Sequence, residues 1–244
     1  MRKFLATACV ALVATLAAPA VASAATDAAT TKFCDANFRL SSLYNELDAE
    51  ATPKQMKAFA KRVKPALNAA AQSAPAEIEA QVTTAVDALK ADPTVIFTDT
   101  EIQTATGEID SWAVENCGYQ TVDVTGADYS FSGIPATLST GKTVVTFQNT
   151  GAEFHEFLVV RKKNDKSVEE LLALPQKQAE KQTEFVGAAF AAPGQTSNGF
   201  MDIKTPGNYV ALCAIPVGTT DIESVPEDGA PHFTEGMVTE FTVS

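Results

Sequence analysis

His155, Cys213, His232 and Met237 are the side chains of this chain best suited to hold a soft metal ion. The two histidines are the only ones in 244 residues, and both lie in the last 90 or so positions, on either side of Cys213. Thiolate favours Cu(I), imidazole suits both oxidation states of copper, and a late thioether can tune the potential as a weak axial ligand. That set fits a mononuclear copper site that carries one electron. Each residue alone has a structural reading: a small core hydrophobe for Cys213, a space-filler for Met237, hydrogen-bonded or surface rings for the histidines. Their joint occurrence in this order favours the metal.

The elements that must position these side chains alternate with period two after Gly118. Val122 with Val124, Tyr129 with Phe131, Thr143 to Phe147, Phe157 to Val160, Phe185 to Phe190, Phe200 to Ile203, Tyr209 to Leu212 and Val238 to Val243 read as strands. Ala192-Pro193-Gly194 and Thr205-Pro206-Gly207-Asn208 carry the signature of type II turns. Ser167 and Glu170 form a capping box, so one short helix is expected between Ser167 and Gln182. About eight short strands argue for an antiparallel sandwich. Alternation places His155 on the face of Phe157 and Val159, Cys213 on that of Tyr209 and Ala211, and Met237 on that of Phe241 and Val243. His232 falls on the intervening loop.

The first half has a different period. Leu40, Leu43, Tyr44 and Leu47 share a helical face, as do Met56, Phe59, Val63 and Leu67; Ile78, Val82, Val86 and Leu89; and Ile102, Ala105, Ile109 and Trp112. Thr52 with Gln55, and Thr98 with Glu101, are expected capping boxes, and Pro65 is expected to kink or end the second helix early. Four helices in an antiparallel bundle follow. Cys34 opens this segment and Cys117 closes it, which is most simply a disulfide. A functional redox pair is the rival, against which the wide spacing counts. Residues 31–118 are thus expected to form a helical domain that binds no metal, and residues 119–244 a second domain packed against it: an α + β chain of two domains.

Arg2 and Lys3, the uncharged apolar run Phe4 to Ala18 and the small residues Ala22-Ser23-Ala24 read as a secretory signal peptide over residues 1–24. The formal charge of −12 becomes about −14 without it. Such acidity disfavours nucleic acid as a partner, and no second apolar run has the length of a membrane span. The expected location is secreted or extracytoplasmic.

Residues 119 to 244 resemble a cupredoxin of the plastocyanin and azurin type. The run Asn149 to His155 resembles the family's strand end with its first histidine. Residues Ala192-Pro193-Gly194 and Thr205 to Cys213 resemble the strands leading to its cysteine, and His232 to Met237, followed by Phe241-Thr242-Val243, resembles its closing histidine, methionine and last strand. The resemblance implies a Greek-key sandwich and one type 1 copper, with His155, Cys213 and His232 equatorial and Met237 axial. One departure stands out: 18 residues separate Cys213 from His232, where the family usually has only a few. That segment is acidic and rich in proline. It either bulges away and returns His232 to the metal or leaves it misplaced. The residue after His155 is Glu156, so no neutral amide is available there. Two histidines cannot furnish a trinuclear cluster or a second catalytic copper, so an enzyme is not expected. The leading reading is an exported electron-transfer protein with a redox protein as partner. The alternatives are a metal-free binding or structural module and a copper chaperone or storage protein.

Overall fold

A computed structural model describes residues 28–45, 47, 51–221 and 224–244. The expected signal peptide lies outside them. Four longer helices come first: α1 (Ala28–Asn45), α2 (Pro53–Ser73), α3 (Glu79–Ala91) and α4 (Thr100–Asn116). The apolar faces read from the sequence meet in one core, in which Phe33, Leu43, Phe59, Leu67, Val82, Leu89 and Ile109 are buried. Thr52 caps α2 through the expected box with Gln55. At α4 the cap is Asp99 rather than Thr98, its carboxylate accepting from the Glu101 and Ile102 N–H groups at 2.9 and 3.3 Å. A carboxylate there satisfies two open donors and complements the positive end of the helix dipole. Pro65 does not end α2, which runs eight residues further to Ser73. It lies on the exposed face, where water can solvate the Lys61 carbonyl that loses its amide partner. The Cys34–Cys117 disulfide, with Cα atoms 5.6 Å apart, ties α1 to the end of α4.

Nine strands follow among the described residues: β1 (Gln120–Ala127), β2 (Ser130–Ser132), β3 (Thr137–Leu138), β4 (Gly141–Asn149), β5 (His155–Lys162), β6 (Thr183–Ala191), β7 (Thr196–Ile203), β8 (Gly207–Leu212) and β9 (Val238–Val243). They form two sheets, ordered β2-β1-β4-β7 and β3-β9-β8-β5-β6. The sheets are mixed, which corrects the antiparallel expectation: β1 pairs parallel with β4, and β3 with β9. Alternation reports which face a residue occupies and is silent on strand direction. The chain between β1 and β4 is long enough to visit the second sheet and return, as a parallel pair requires. Val124, Val145, Phe147, Phe157, Val159, Met201, Tyr209 and Phe241 fill the space between the sheets. The expected single helix after β5 is two, α5 (Val168–Leu172), capped by Ser167 with Glu170, and α6 (Gln176–Gln182), which begins after Pro175.

The helical and β halves pack directly. Phe38 from α1, Val144 from β4 and Phe200 from β7 are buried together beside Val114 and Tyr119. The Tyr119 hydroxyl donates to the Cys34 carbonyl at 2.6 Å, and the Asn45 amide to the Phe200 carbonyl at 3.0 Å. Among the described residues no helix is long and apolar enough to cross a membrane.

Candidate metal centre

His155 is the first residue of β5, and Phe157 and Val159 on the same face are buried as alternation requires. Cys213 follows the last residue of β8, with its side chain inside. His232 opens a short 3-10 turn, His232–Glu235. Gly236, at φ 113°, ends that turn in a left-handed conformation that favours glycine, and Met237 then leads into β9. All four side chains are fully buried.

The 18 residues between Cys213 and His232 do not displace the second histidine. The outgoing and returning chains run against each other: the Val217 amide donates to the Ala230 carbonyl at 2.8 Å, the His232 amide to Ile215 at 2.9 Å, and the Phe233 amide to Cys213 at 2.9 Å. Pro216 and Pro231 face one another as an isolated antiparallel bridge. The acidic part, with Asp221, Glu227 and Asp228 exposed, hangs outside this closed neck. Lengthening such an excursion adds little entropy cost once its base is paired.

Three donor atoms therefore converge. His155 Nδ1 lies 3.0 Å from His232 Nδ1, Cys213 Sγ lies 3.3 Å from His232 Nδ1, and all three atoms fall within 4.8 Å of one another. Met237 joins them through its backbone: its carbonyl accepts from the Cys213 amide at 3.0 Å and its amide donates to the His232 carbonyl at 3.1 Å. Its side chain runs toward Gly126 in β1, where an added Cβ would stand 3.2 Å from Met237 Cε.

The far nitrogens of both rings meet carboxylates. His155 Nε2 is 2.6 Å from Asp128 Oδ1, and His232 Nε2 is 2.9 Å from Glu153 Oε2. Partial burial alone would raise both carboxyl pKa values. Hydrogen bonds outweigh it: the Ala152 N–H, the His155 ring and the Glu153 N–H at Asp128, and the Tyr129 hydroxyl, the Gly218 N–H and the His232 ring at Glu153. Both groups sit below their ordinary values and are ionised at neutral pH. An ionised carboxylate can only accept, so each Nε2 carries the hydrogen, and in its neutral form each ring presents a lone pair at Nδ1. Two such lone pairs 3.0 Å apart repel. The Cys213 thiol hydrogen can satisfy one of them but not both. A cation between them removes the conflict, and two nitrogens each about 2.0 Å from a shared ion lie roughly 3 Å apart. The donor set thus fits a metal, and its softness fits copper.

Protonation states agree with this. Burial lowers the His155 pKa below the usual histidine value despite the opposing Asp128, so the ring is neutral at pH 7. Burial pushes the Cys213 thiol up to about 12. The Glu156 amide points at Cys213 Sγ from 3.4 Å, and the Glu156 carboxyl, whose own pKa burial raises, accepts from the Ala214 amide at 2.8 Å. Asp128, Glu153 and Tyr129, whose ring lies 4.9 Å from that of His232, were not legible in the sequence. Nothing local distinguishes those two carboxylates from the other acids among the chain's 30, since their partners lie 27 and 79 residues away.

No protein-family model matches the chain, and neither does any curated protein. Solved structures do. Auracyanin A, described as a "blue" copper protein, from Chloroflexus aurantiacus, is 17% identical with a TM-score of 0.34, over 52% of this chain and 100% of its own. Rusticyanin from Thiobacillus ferrooxidans is 21% identical with a TM-score of 0.31, over 51% of this chain and 78% of its own. A multicopper oxidase from Pediococcus acidilactici is 11% identical with a TM-score of 0.30, over 52% of this chain and 26% of its own.

Proposed function

We propose that this chain is an exported, cupredoxin-type electron-transfer protein with one copper, held by His155, Cys213 and His232 with Met237 as a weak axial ligand. One observation carries the reading. Two buried imidazoles, each backed by a carboxylate, present their Nδ1 atoms to one another at 3.0 Å, beside a buried thiol. When bound, copper supplies a one-electron couple at that point. The protein's part is to hold the donors in place without it. The imidazoles are locked from behind, the backbone of Met237 staples the Cys213 and His232 segments together, and water is excluded. Small rearrangement between oxidation states is what fast outer-sphere exchange needs.

In this reading residues 119–244 are a Greek-key sandwich. Residues 31–118 are a four-helix bundle that binds no metal and serves as a docking or scaffolding domain. Both histidines are spent on one centre, so the chain is not an enzyme, and its partner is another redox protein. The Cys34–Cys117 disulfide supports an oxidising compartment; a mature N-terminus at Ala25 on the exported protein would establish the signal peptide.

The deciding experiment is titration of the mature protein with Cu(II). An intense thiolate-to-copper absorption band at one equivalent, absent from Cys213→Ser, is expected. A colourless protein without tight copper binding would leave the metal-free module as the surviving reading. Loss of the metal on reduction would favour a chaperone or storage role.

A further inference from the structure

Asp128 and Glu153 do more than touch the two rings. Asp128 lies just after β1, and its carboxylate reaches across to the loop before β5. It accepts from the Ala152 amide at 2.9 Å and the Glu153 amide at 3.4 Å as well as from His155. Glu153, on that loop, accepts from the Tyr129 hydroxyl at 2.7 Å, the Gly218 amide at 2.6 Å and His232. The two carboxylates thus form a chain: Asp128 orients His155 and the backbone of Glu153, and Glu153 orients His232 and the neck of the long loop. There is no slack between them. A Cβ added at Gly151 would come within 2.7 Å of His155 Nε2.

We infer that Asp128 and Glu153 are paired positioning residues that fix both imidazoles as Nε2-H tautomers, so aiming two Nδ1 lone pairs and the Cys213 sulfur at one point before a metal arrives. The purpose of this device rests on the copper reading, but its existence does not. The arrangement is asymmetric. Because Asp128 also holds the Glu153 backbone, its loss should disturb both rings, whereas loss of Glu153 should disturb His232 alone. The pair also places two negative charges behind the rings, which favours Cu(II) over Cu(I).

The test is nitrogen-15 NMR of the histidine rings in the full metal-free mature chain at pH 8, where the ring-nitrogen shifts report the tautomers directly. Wild type should show both rings protonated at Nε2. Glu153→Ala should convert His232 to a tautomer mixture and spare His155; Asp128→Ala should do so to both. Glu153→Gln and Asp128→Asn keep an accepting oxygen and should restore the wild-type pattern, and they serve where an alanine variant fails to fold. An Nδ1-protonated ring in wild type, or alanine variants with unchanged tautomers, would overturn the inference. With copper, each alanine variant should lose about 10- to 100-fold in affinity. The amide variants should bind yet show a raised potential, by about 59 mV for each tenfold selective loss of Cu(II) affinity. Where the wild type binds copper, unchanged affinity in both alanine variants would also overturn the inference that the pair aims the donors. The expected tautomer pattern in a chain that binds no copper would uphold the positioning pair and sink the copper reading.

Discussion

Metal binding at this centre should release a proton from Cys213, and the number is measurable. The thiol is fully buried, and burial raises its pKa to about 12, so at pH 8 only about one molecule in 10⁴ carries the thiolate that a metal needs. Deprotonation then weakens the apparent affinity by about 10⁴-fold, or ~5 kcal/mol. The affinity should rise about tenfold per pH unit from pH 7.5 to 9. His155 contributes no proton there because burial keeps it neutral. Calorimetric titration of Cu(II) at pH 8, in buffers of different ionisation heat, should therefore yield one proton per copper. Cys213→Ser should yield none and bind weakly. A wild-type count of zero with an intact thiolate band would show that the thiolate already exists without metal. A count of one persisting in Cys213→Ser would assign the proton elsewhere. Either result would refute the argument from burial.

Replacing both Cys34 and Cys117 by alanine opens a loop of 83 residues, which in the chain-entropy model destabilises the fold by about 4.5 kcal/mol; urea unfolding should show most of that loss, and a change under 1 kcal/mol would contradict it. Burial raises the Asp110 pKa from 3.8 to about 7, against the Asn37 amide that donates to it at 3.0 Å. The folded protein therefore takes up a proton that the unfolded chain does not. The associated stability is full below about pH 4 and is lost as pH rises through about 7. That gap corresponds to ~4 kcal/mol at most, and to ~1–2 kcal/mol for a residue still partly in contact with water. Asp110→Asn should flatten this part of the pH–stability curve, and a wild-type slope in the variant would place the titration elsewhere. Asn149, fully buried, donates to the Glu153 and Ala191 carbonyls at 2.7 and 2.8 Å and accepts from the Gly151 amide at 2.9 Å. Asn149→Ala should cost on the order of 2–4 kcal/mol and speed hydrogen exchange at Gly151; unchanged exchange would show that this loop is held by other contacts.

The helical faces were legible because a 3.6-residue repeat reports burial directly. Phe59, Val63 and Leu67, or Val82, Val86 and Leu89, are all in the core that the spacing implied. Terminal detail was less legible, since Thr98 and Asp99 are adjacent competent caps and the carboxylate prevails through charge. Pro65 misleads because its effect depends on exposure: it lies on the exposed face of α2, where solvent can satisfy an orphaned carbonyl, and the helix continues to Ser73. Strand direction could not be read from alternation, and the two-residue β3 has too little pattern to notice.

At the centre, the division falls between local and distant causes. His155 and Cys213 inherit their inward direction from parity with Phe157 and Tyr209, a property of a few neighbouring residues. His232 does not. Its place depends on pairing between residues 213–217 and 230–233, proline-containing segments with no strand-like alternation, so the acidic stretch between them read equally well as a displacement. The carboxylates lie further still from legibility. Glu153 is two residues from His155 yet serves His232, while Asp128 serves His155 from the other sheet's edge connection. The donors can be named from residue type and order. The side chains that aim them are exchanged between loops, and only the closed sandwich brings those loops to one end.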